Sequence, residues 1–282
     1  MILLIPIILS SSISRSDLQL PPLLRNLQSY FINDPKGETM IKLSEIPTTA
    51  DEKLSEDKAK EEIEEFRKKI YKLQNLLYAN RQHALLIVLQ GMDAAGKDGT
   101  IRHVFSSVNP QGCRVQTFKV PSAEEASHDF LWRVYPHIPE KGMMQIFNRS
   151  HYEDVLVPLV HGEIEPKAAA ERIRFINEFE RHLLTDNIII IKFYLHLSHK
   201  EQKKRIDERL SVPEKRWKYD PADKRESKKW DEYMTAYERV LNECGPDVPW
   251  IVVPADDKWF RNYTVAKTIV ETLEKLKMKY PG

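Results

Sequence analysis

Two hydrophobic patterns alternate along most of the chain. Short apolar runs predict strands, and longer stretches with an apolar residue at every third or fourth position predict amphipathic helices. The apolar runs lie at 84–89, 115–120, 144–147, 188–197 and 250–253. The helical patterns lie at 97–108, 123–135, 151–184, 199–211, 225–243 and 258–279. Strands that alternate with helices in this way predict an α/β fold, with a parallel sheet of about five strands and helices on both faces.

A further amphipathic helix is predicted over 55–79, ahead of the first strand. Ser55 is a suitable N-cap. The apolar positions that follow it recur at spacings of four and three, at Ala59, Ile63, Phe66, Ile70, Leu73 and Leu77. A single apolar stripe predicts packing on the domain's own sheet, with a coiled coil as the alternative.

The first 54 residues show no sustained periodicity and contain five prolines. We therefore predict an extended N-terminal lead-in over 1–54, followed by one domain over 55–282. Residues 1–10 are apolar, but they are too few to span a bilayer. No basic segment precedes them, as a secretory signal would require.

The composition narrows the classes of partner and compartment. A net charge of +1 gives no overall attraction to nucleic acid or to an anionic membrane. Any polyanion must therefore bind to a local cluster of cations. Two cysteines are too few for a disulfide framework and are typical of a reducing compartment. We predict a cytoplasmic protein with neither nucleic acid nor a membrane as a partner.

The segment after the first predicted strand carries the strongest chemical signal. It reads Gly91-Met92-Asp93-Ala94-Ala95-Gly96-Lys97-Asp98-Gly99, which gives the order strand, G-x-x-x-x-G-K, helix. Glycines let backbone N–H groups surround a phosphate, the helix N-terminus adds partial positive charge, and the lysine adds a full one. We predict a phosphate-binding loop that holds its ligand through Lys97 and through Gly91, Ala94, Ala95, Gly96 and Gly99.

Two aspartates inside this loop indicate a metal ion. Position 98 is Asp where such loops usually carry a Ser or Thr that binds magnesium, and Asp93 is the second acid. Two carboxylates would repel a phosphate unless a divalent cation lay between them, and Mg²⁺ binds carboxylate, water and phosphate oxygens together. We predict both as metal ligands. The alternative is that Asp98 caps the helix and Asp93 only shapes the turn.

Charged residues also follow later strands. Arg149 comes soon after the third predicted strand, so it lies beside the phosphate loop if the first and third strands are neighbours. A guanidinium there can brace a phosphoryl group through paired hydrogen bonds; the alternative is a structural pair with a carboxylate. Asp129 and Arg133 lie four residues apart on a predicted helix, where they either pair with each other or contact substrate.

The stretch 200–229 has a local excess of basic residues, with twelve Lys or Arg against seven Asp or Glu. Pro213, Trp217 and Pro221 interrupt its helical pattern, which predicts a helical hairpin over the phosphate loop. We predict a lid over about 205–230, of the kind that excludes water and completes the site in phosphotransferases. The alternative is a solvated charged face.

With these segments in place, the chain resembles the polyphosphate kinase 2 family from about residue 55 to its C-terminus. Besides the loop, the matching segments include Ser127-His128-Asp129-Phe130-Leu131-Trp132-Arg133, Phe147-Asn148-Arg149-Ser150-His151-Tyr152-Glu153, Trp217-Lys218-Tyr219 and Pro254-Ala255-Asp256-Asp257-Lys258-Trp259-Phe260. They look most similar to the class that accepts both AMP and ADP. The resemblance implies a P-loop kinase-like fold with a helical lid, and reversible transfer of the terminal phosphoryl of inorganic polyphosphate to a nucleotide.

The resemblance also implies roles for individual residues. Around Mg²⁺, for which Mn²⁺ is an alternative, it places Asp93, Asp98 and Asp129. Around the transferred phosphoryl it places Lys97, Arg133 and Arg149. Along the polyphosphate it places the lid residues Arg205, Arg209, Lys215 and Lys218. Substrate contacts are implied for Asn148 and for Glu153, where family members differ in nucleotide choice. The implied partners are polyphosphate, AMP or ADP, with GMP and GDP as further candidates, and other copies of the chain in a dimer or tetramer.

Two other functions are compatible with the residues themselves. An ATP-dependent nucleotide kinase would share the loop and the lid, and a non-catalytic polyanion-binding protein would use only the basic hairpin. The first predicts a reaction between ATP and AMP without polyphosphate. The second predicts strongly salt-dependent RNA binding that does not require Lys97.

Overall fold

The computed structural model describes residues 31–32, 40–51, 53–245 and 247–282. The apolar segment 1–10 and most of the predicted lead-in lie outside these residues. The part of the lead-in that is described packs on the domain, because Ile41 and Leu43 are buried and their N–H groups donate to the side chains of Asn242 and Glu238. Within the described part of the chain, no helix is both long and apolar enough to cross a membrane.

The described residues form one six-stranded sheet. Its strands are β1 Phe31–Ile32, β2 Ala84–Gln90, β3 Cys113–Thr117, β4 Met144–Asn148, β5 Ile188–His196 and β6 Trp250–Pro254. Their order is β1-β6-β5-β2-β4-β3, and all pairs are parallel except the pair that β1 forms with β6. The predicted five-stranded parallel sheet is confirmed. The sequence gives no sign of β1, because a two-residue strand has no periodicity.

Helices connect these strands in the order that the sequence predicts. They are α1 Glu56–Asn80, α2 Lys97–Val104, α3 Ala123–Ser127, α4 Glu153–Val160, α5 Pro166–Thr185, α6 His199–Ser211, α7 Pro221–Glu226, α8 Trp230–Glu243 and α9 Lys258–Lys275. The predicted bounds of α6 agree with the structure. Strand β3 lies slightly earlier than predicted, because β4 ends opposite Thr117 and Pro121 follows soon after.

The prediction of one helix over 151–184 is wrong. Helix α4 ends at Val160, α5 begins at Pro166, and Gly162 lies between them with a φ of 67°. A glycine in the left-handed region ends a helix, and a proline at the first position begins the next.

Two other predicted helices are also interrupted. The pattern over 123–135 stops at Ser127, and the Asp129 carboxylate then accepts a hydrogen bond from the Leu131 N–H at 2.9 Å, which starts a separate turn. The pattern over 225–243 is divided between α7, a 3₁₀ turn at Ser227–Lys229 and α8. Local side-chain capping overrides the apolar spacing at the first of these sites.

Alternate side chains of β2 enter two separate cores. Leu86 and Val88 pack in a core with α4, α5 and α8, whereas Leu85, Ile87 and Leu89 pack in a core with α1 and α9. Both faces of the sheet are therefore covered by helices, as predicted. Ile70 and Leu77 of the α1 stripe belong to the second core, whereas Ala59 and Ile63 form a small cluster with Tyr263 of α9. Helix α1 therefore packs on its own domain, as predicted.

A buried ion pair lies below the carboxyl end of β4. Lys192 on β5 donates to Glu180 on α5 at 2.7 Å, and the hydroxyl of Tyr152 donates to the same carboxylate at 2.6 Å. Glu180 is only 2% exposed and Lys192 is completely buried. Tyr152 ends the turn that carries Arg149, so this network fixes the turn to the sheet.

Candidate active site

The phosphate loop lies between β2 and α2, and two of its glycines are sterically required. Gly91 has a φ of 147°, and a Cβ built on it would lie 2.8 Å from the carbonyl oxygen of Leu195. Gly96 has a φ of 106°, and a Cβ there would overlap the guanidinium of Arg261. Side chains are thus disfavoured at both ends of the loop. The loop backbone therefore has no Cβ atom at these two positions.

The N-terminus of α2 faces a cavity of about 450 Å³. The first N–H groups of a helix have no acceptor within the helix, and the helix dipole adds partial positive charge there. Lys97, the first residue of α2, is buried and its Nζ donates to the carbonyl of Gly91 at 2.6 Å. Burial and the neighbouring Arg149 lower the pKa of Lys97, whereas Asp93 raises it. The loop therefore offers several donors to one anion.

Arg149 lies beside this loop because β2 and β4 are adjacent. Leu89 is in register with Asn148, and the N–H of Arg149 donates to the Leu89 carbonyl at 3.0 Å. The Arg149 guanidinium donates to the carboxylate of Asp93. Burial raises the pKa of Asp93, but the charges of Arg149 and Lys97 outweigh it and hold that pKa below its ordinary value. Arg149 thus forms the pair with a carboxylate that the sequence left as an alternative, and that carboxylate belongs to Asp93 in the phosphate loop.

Asp98 does not cap α2. The N-cap is Gly96, and Asp98 accepts a hydrogen bond from the Asn148 amide at 2.6 Å. Asp93 and Asp98 line the same cavity. Mg²⁺ commonly binds through one or two carboxylates together with water and substrate phosphates, so this pair fits that ion. Among the described residues, no group of three His, Cys, Asp or Glu side chains could hold a metal by itself.

Arg133 and Asp129 are not at the phosphate loop in this structure. Arg133 donates to Asp154 at 2.7 Å and to the Lys119 carbonyl at 2.8 Å, and it is buried. Asp129 is held by the Leu131 N–H, so the two residues do not pair with each other. The shared helix face that the sequence predicted for them is absent, because α3 ends before Asp129. Both line a second cavity of about 510 Å³.

Glu153 is close enough to Arg149 and Lys97 for their charges to act on its carboxyl group. It is the first residue of α4, and its N–H donates to the Ser150 carbonyl at 3.0 Å. Burial raises the pKa of its carboxyl group, although Arg149 and Lys97 oppose this. The predicted substrate contact at Glu153 stays a prediction.

Arg205 on α6 is bonded to the backbone of the phosphate loop. Its guanidinium donates to Glu201, to the carbonyls of Ala94 and Ala95, and to the carbonyls of Ala255 and Asp256. These five contacts use every N–H that a guanidinium has. Although Arg205 borders the cavity, it has no donor left for polyphosphate and instead joins the loop to the end of β6.

The remaining lid cations border the cavity from the segment 209–218. Arg209 pairs with Asp223, and Lys215 pairs with Glu208 at 2.7 Å. Lys218 lies beside them. The hairpin is joined to the loop itself, since Gln202 donates to the carbonyl of Asp93 at 3.1 Å. The structure thus brings the basic hairpin of the sequence next to the phosphate loop.

Sequence reasoning missed several residues of the cavity wall, namely Arg102, Lys119, Lys258, Arg261 and Asn262. Lys258 and Arg261 are three apart at the start of α9, directly after the carboxyl end of β6. That spacing was a readable signal, because the carboxyl ends of parallel strands share one edge of the sheet. In total, ten Lys or Arg and four Asp or Glu line the cavity.

Fold and site together define an α/β protein of the phosphate-loop class, with a strongly cationic cavity at the carboxyl edge of its sheet. The chain belongs to the polyphosphate kinase 2 family, whose family model matches residues 53–281. It is 50% identical over 215 residues to an AMP/ADP-polyphosphate phosphotransferase from Meiothermus ruber, a match that covers 76% of this chain and 80% of that protein.

Two further relatives agree with this assignment. An ADP-polyphosphate phosphotransferase from Rhodopseudomonas palustris is 50% identical over 222 residues, which cover 74% of this chain and 77% of that protein. A crystal structure of polyphosphate kinase 2 from Arthrobacter aurescens TC1 superposes with a TM-score of 0.83 at 35% identity. That superposition covers 89% of this chain and 93% of the solved one.

Proposed function

We propose that this protein transfers the terminal phosphoryl group of inorganic polyphosphate to AMP or ADP, reversibly and without a covalent intermediate. The observation that carries the proposal is the charge of the cavity at the phosphate loop, which has ten cationic side chains against four acidic ones. A chain of phosphates carries roughly one negative charge for each unit, so such a wall suits it. The names of the two 50% identical relatives support AMP and ADP as acceptors.

The cationic residues of the cavity would have different roles according to where they lie. Lys97 and Arg149 lie where the phosphoryl group would be transferred, beside the N-terminus of α2. Arg209, Lys215, Lys218 and Lys258 lie farther along the wall and would hold the polyphosphate. Phosphoryl transfer needs mainly positioning and neutralisation of charge, and this set supplies both. Closure of the hairpin 205–230 would exclude water from the transfer.

Asp93 and Asp98 are the residues that would hold Mg²⁺, or Mn²⁺ in its place. When bound, the ion would supply positive charge that neutralises the phosphoryl group during transfer. Arg149 donates to Asp93, and the Asn148 amide donates to Asp98. These contacts hold both carboxylates and the Arg149 guanidinium beside the loop, where the phosphoryl group would be transferred. Asp129, in the second cavity, would join this set only after a rearrangement.

Asp98→Asn is expected to raise the Mg²⁺ concentration that half-maximal activity requires, because the amide loses the charge that attracts the ion. The measurement is ATP formation from ADP and polyphosphate across a Mg²⁺ titration, in which the wild type should be active. We expect a rise on the order of tenfold or more, equal to about 1.4 kcal/mol.

Two arms of this titration interpret the result. Asp186→Asn changes an acid outside both cavities and should leave the titration unchanged. An unchanged Mg²⁺ requirement in Asp98→Asn would remove this residue from the metal site. A wild type that forms no ATP at any Mg²⁺ concentration would contradict the proposed function itself. A homo-oligomer and a cytoplasmic location stay predictions.

A further inference from the structure

Arg261 is a buried arginine with no carboxylate partner. It lies in the first turn of α9 and is 3% exposed. Its Nη1 donates to the Ala95 carbonyl at 3.2 Å, and its Nη2 and Nε donate to the Asn262 side-chain oxygen at 3.0 and 3.3 Å. No ion pair joins Arg261 to an acid in the part of the chain that the structure describes. Its charge is therefore balanced only by dipoles.

This arrangement of the Arg261 guanidinium is energetically unfavourable. A buried charge is normally paired, because its desolvation is otherwise uncompensated. A second cation, Arg205, donates to the same Ala95 carbonyl at 3.2 Å. Burial and the charge of Arg205 together lower the pKa of Arg261 to about 9. The two guanidinium groups thus meet at the Ala95 carbonyl, and only Arg205 has a carboxylate partner, Glu201.

The loop is shaped around this guanidinium. A Cβ on Gly96 would overlap Arg261 Nη1, so the glycine at this position admits the cation against the loop backbone. Arg261 and Gly96 both line the cavity that contains Lys97. Of the five N–H groups of a guanidinium, three are used in the contacts with Ala95 and Asn262. One hydrogen on each terminal nitrogen is left.

We propose that Arg261 is a phosphate-binding residue of this site, and that a phosphate group of the substrate supplies the negative charge that the guanidinium lacks. The proposal rests on the proposed function, because it assumes that the cavity takes a phosphate chain. It adds a contact from α9, on the side of the loop opposite Arg149. Asn262 and Ala95 hold the cation in place, so it is oriented for a phosphate before one binds.

The test measures the binding of tripolyphosphate with Mg²⁺ by thermal unfolding, for wild type, Arg261→Gln and Arg261→Lys. The glutamine variant keeps a polar group but removes the charge. The lysine variant keeps the charge but removes the paired N–H donors of the guanidinium. We expect Arg261→Gln to raise the apparent dissociation constant on the order of tenfold or more. Arg261→Lys should recover part of this loss. Without tripolyphosphate, Arg261→Gln should unfold no earlier than wild type, because it removes an uncompensated buried charge.

One control variant and three possible outcomes interpret this binding experiment. Arg174→Gln removes an exposed arginine of α5 that lies outside both cavities, so it should bind tripolyphosphate as wild type does. A dissociation constant for Arg261→Gln within twofold of wild type would overturn the proposal and leave the proposed function intact. Equal weakening in both Arg261 variants, together with a lower unfolding temperature without ligand, would show a merely structural role. No binding by wild type would contradict the proposed function as well.

Discussion

Replacing Arg149 by alanine is expected to lower kcat for polyphosphate-dependent ATP formation by a factor on the order of 10³–10⁵, the range found for arginines that stabilise phosphoryl transfer. Arg149 lies at the carboxyl end of β4, next to the phosphate loop that follows β2. Its guanidinium donates to the Asp93 carboxylate. Arg149 is the first residue after β4, and its N–H donates to the carbonyl of Leu89 on β2. Its loss removes positive charge where the transferred group would lie.

The measurement is steady-state kinetics with polyphosphate and ADP varied separately. The KM for polyphosphate should change far less than kcat, because Lys215, Lys218 and Lys258, which we propose as its binding residues, are unchanged. Arg174→Ala, at the exposed pair with Glu171 and Glu178, is the matched control and should keep wild-type kinetics. A kcat for Arg149→Ala within tenfold of wild type would mean that its pair with Asp93 is only structural.

Replacing Lys97 by alanine is expected to lower kcat on the order of 10³-fold, since donors aimed at developing charge contribute about that much. The Lys97 ammonium is buried at the N-terminus of α2, where its hydrogen bonds go to the carbonyls of Gly91 and Met92. It is therefore available to a phosphate without first breaking an ion pair. Because no carboxylate is left unpaired by the change, the free energy of unfolding should stay close to that of wild type.

The same variant separates an enzyme from a simple polyanion-binding protein. Binding of long-chain polyphosphate should weaken only modestly in Lys97→Ala, because most of the cationic wall is intact. Lys167→Ala, an exposed residue of α5, provides the control for loss of one lysine charge. Turnover that survives in Lys97→Ala would refute the role of this lysine. Turnover absent even from wild type, with salt-dependent RNA binding present, would favour the non-catalytic alternative.

The sequence predicts the parts of the site that depend on local order. The order strand, glycine-rich loop, helix fixes where Lys97, Asp93 and Asp98 lie relative to one another. The apolar runs give the strands, and the rule that parallel strands present their carboxyl ends together brings Arg149 to the loop once β2 and β4 are neighbours.

The sequence does not predict which charged groups pair across elements. Arg133 pairs with Asp154, which is 21 positions away on α4, rather than with Asp129 four positions away. Arg205 lies in a basic segment, yet four of its five contacts are backbone carbonyls of the loop and of the residues after β6. Local spacing cannot reveal such partners, because they are determined by the packing of helices on the sheet.

The most direct test of the account is nucleotide production from AMP, and separately from ADP, with long-chain polyphosphate and Mg²⁺ and without ATP. We expect ATP from ADP, and ADP followed by ATP from AMP, with polyphosphate consumed in step. A parallel incubation of ATP with AMP alone should be much slower; a faster one would favour an ATP-dependent nucleotide kinase. Failure of a folded, metal-supplied protein to phosphorylate either nucleotide from polyphosphate would contradict the account.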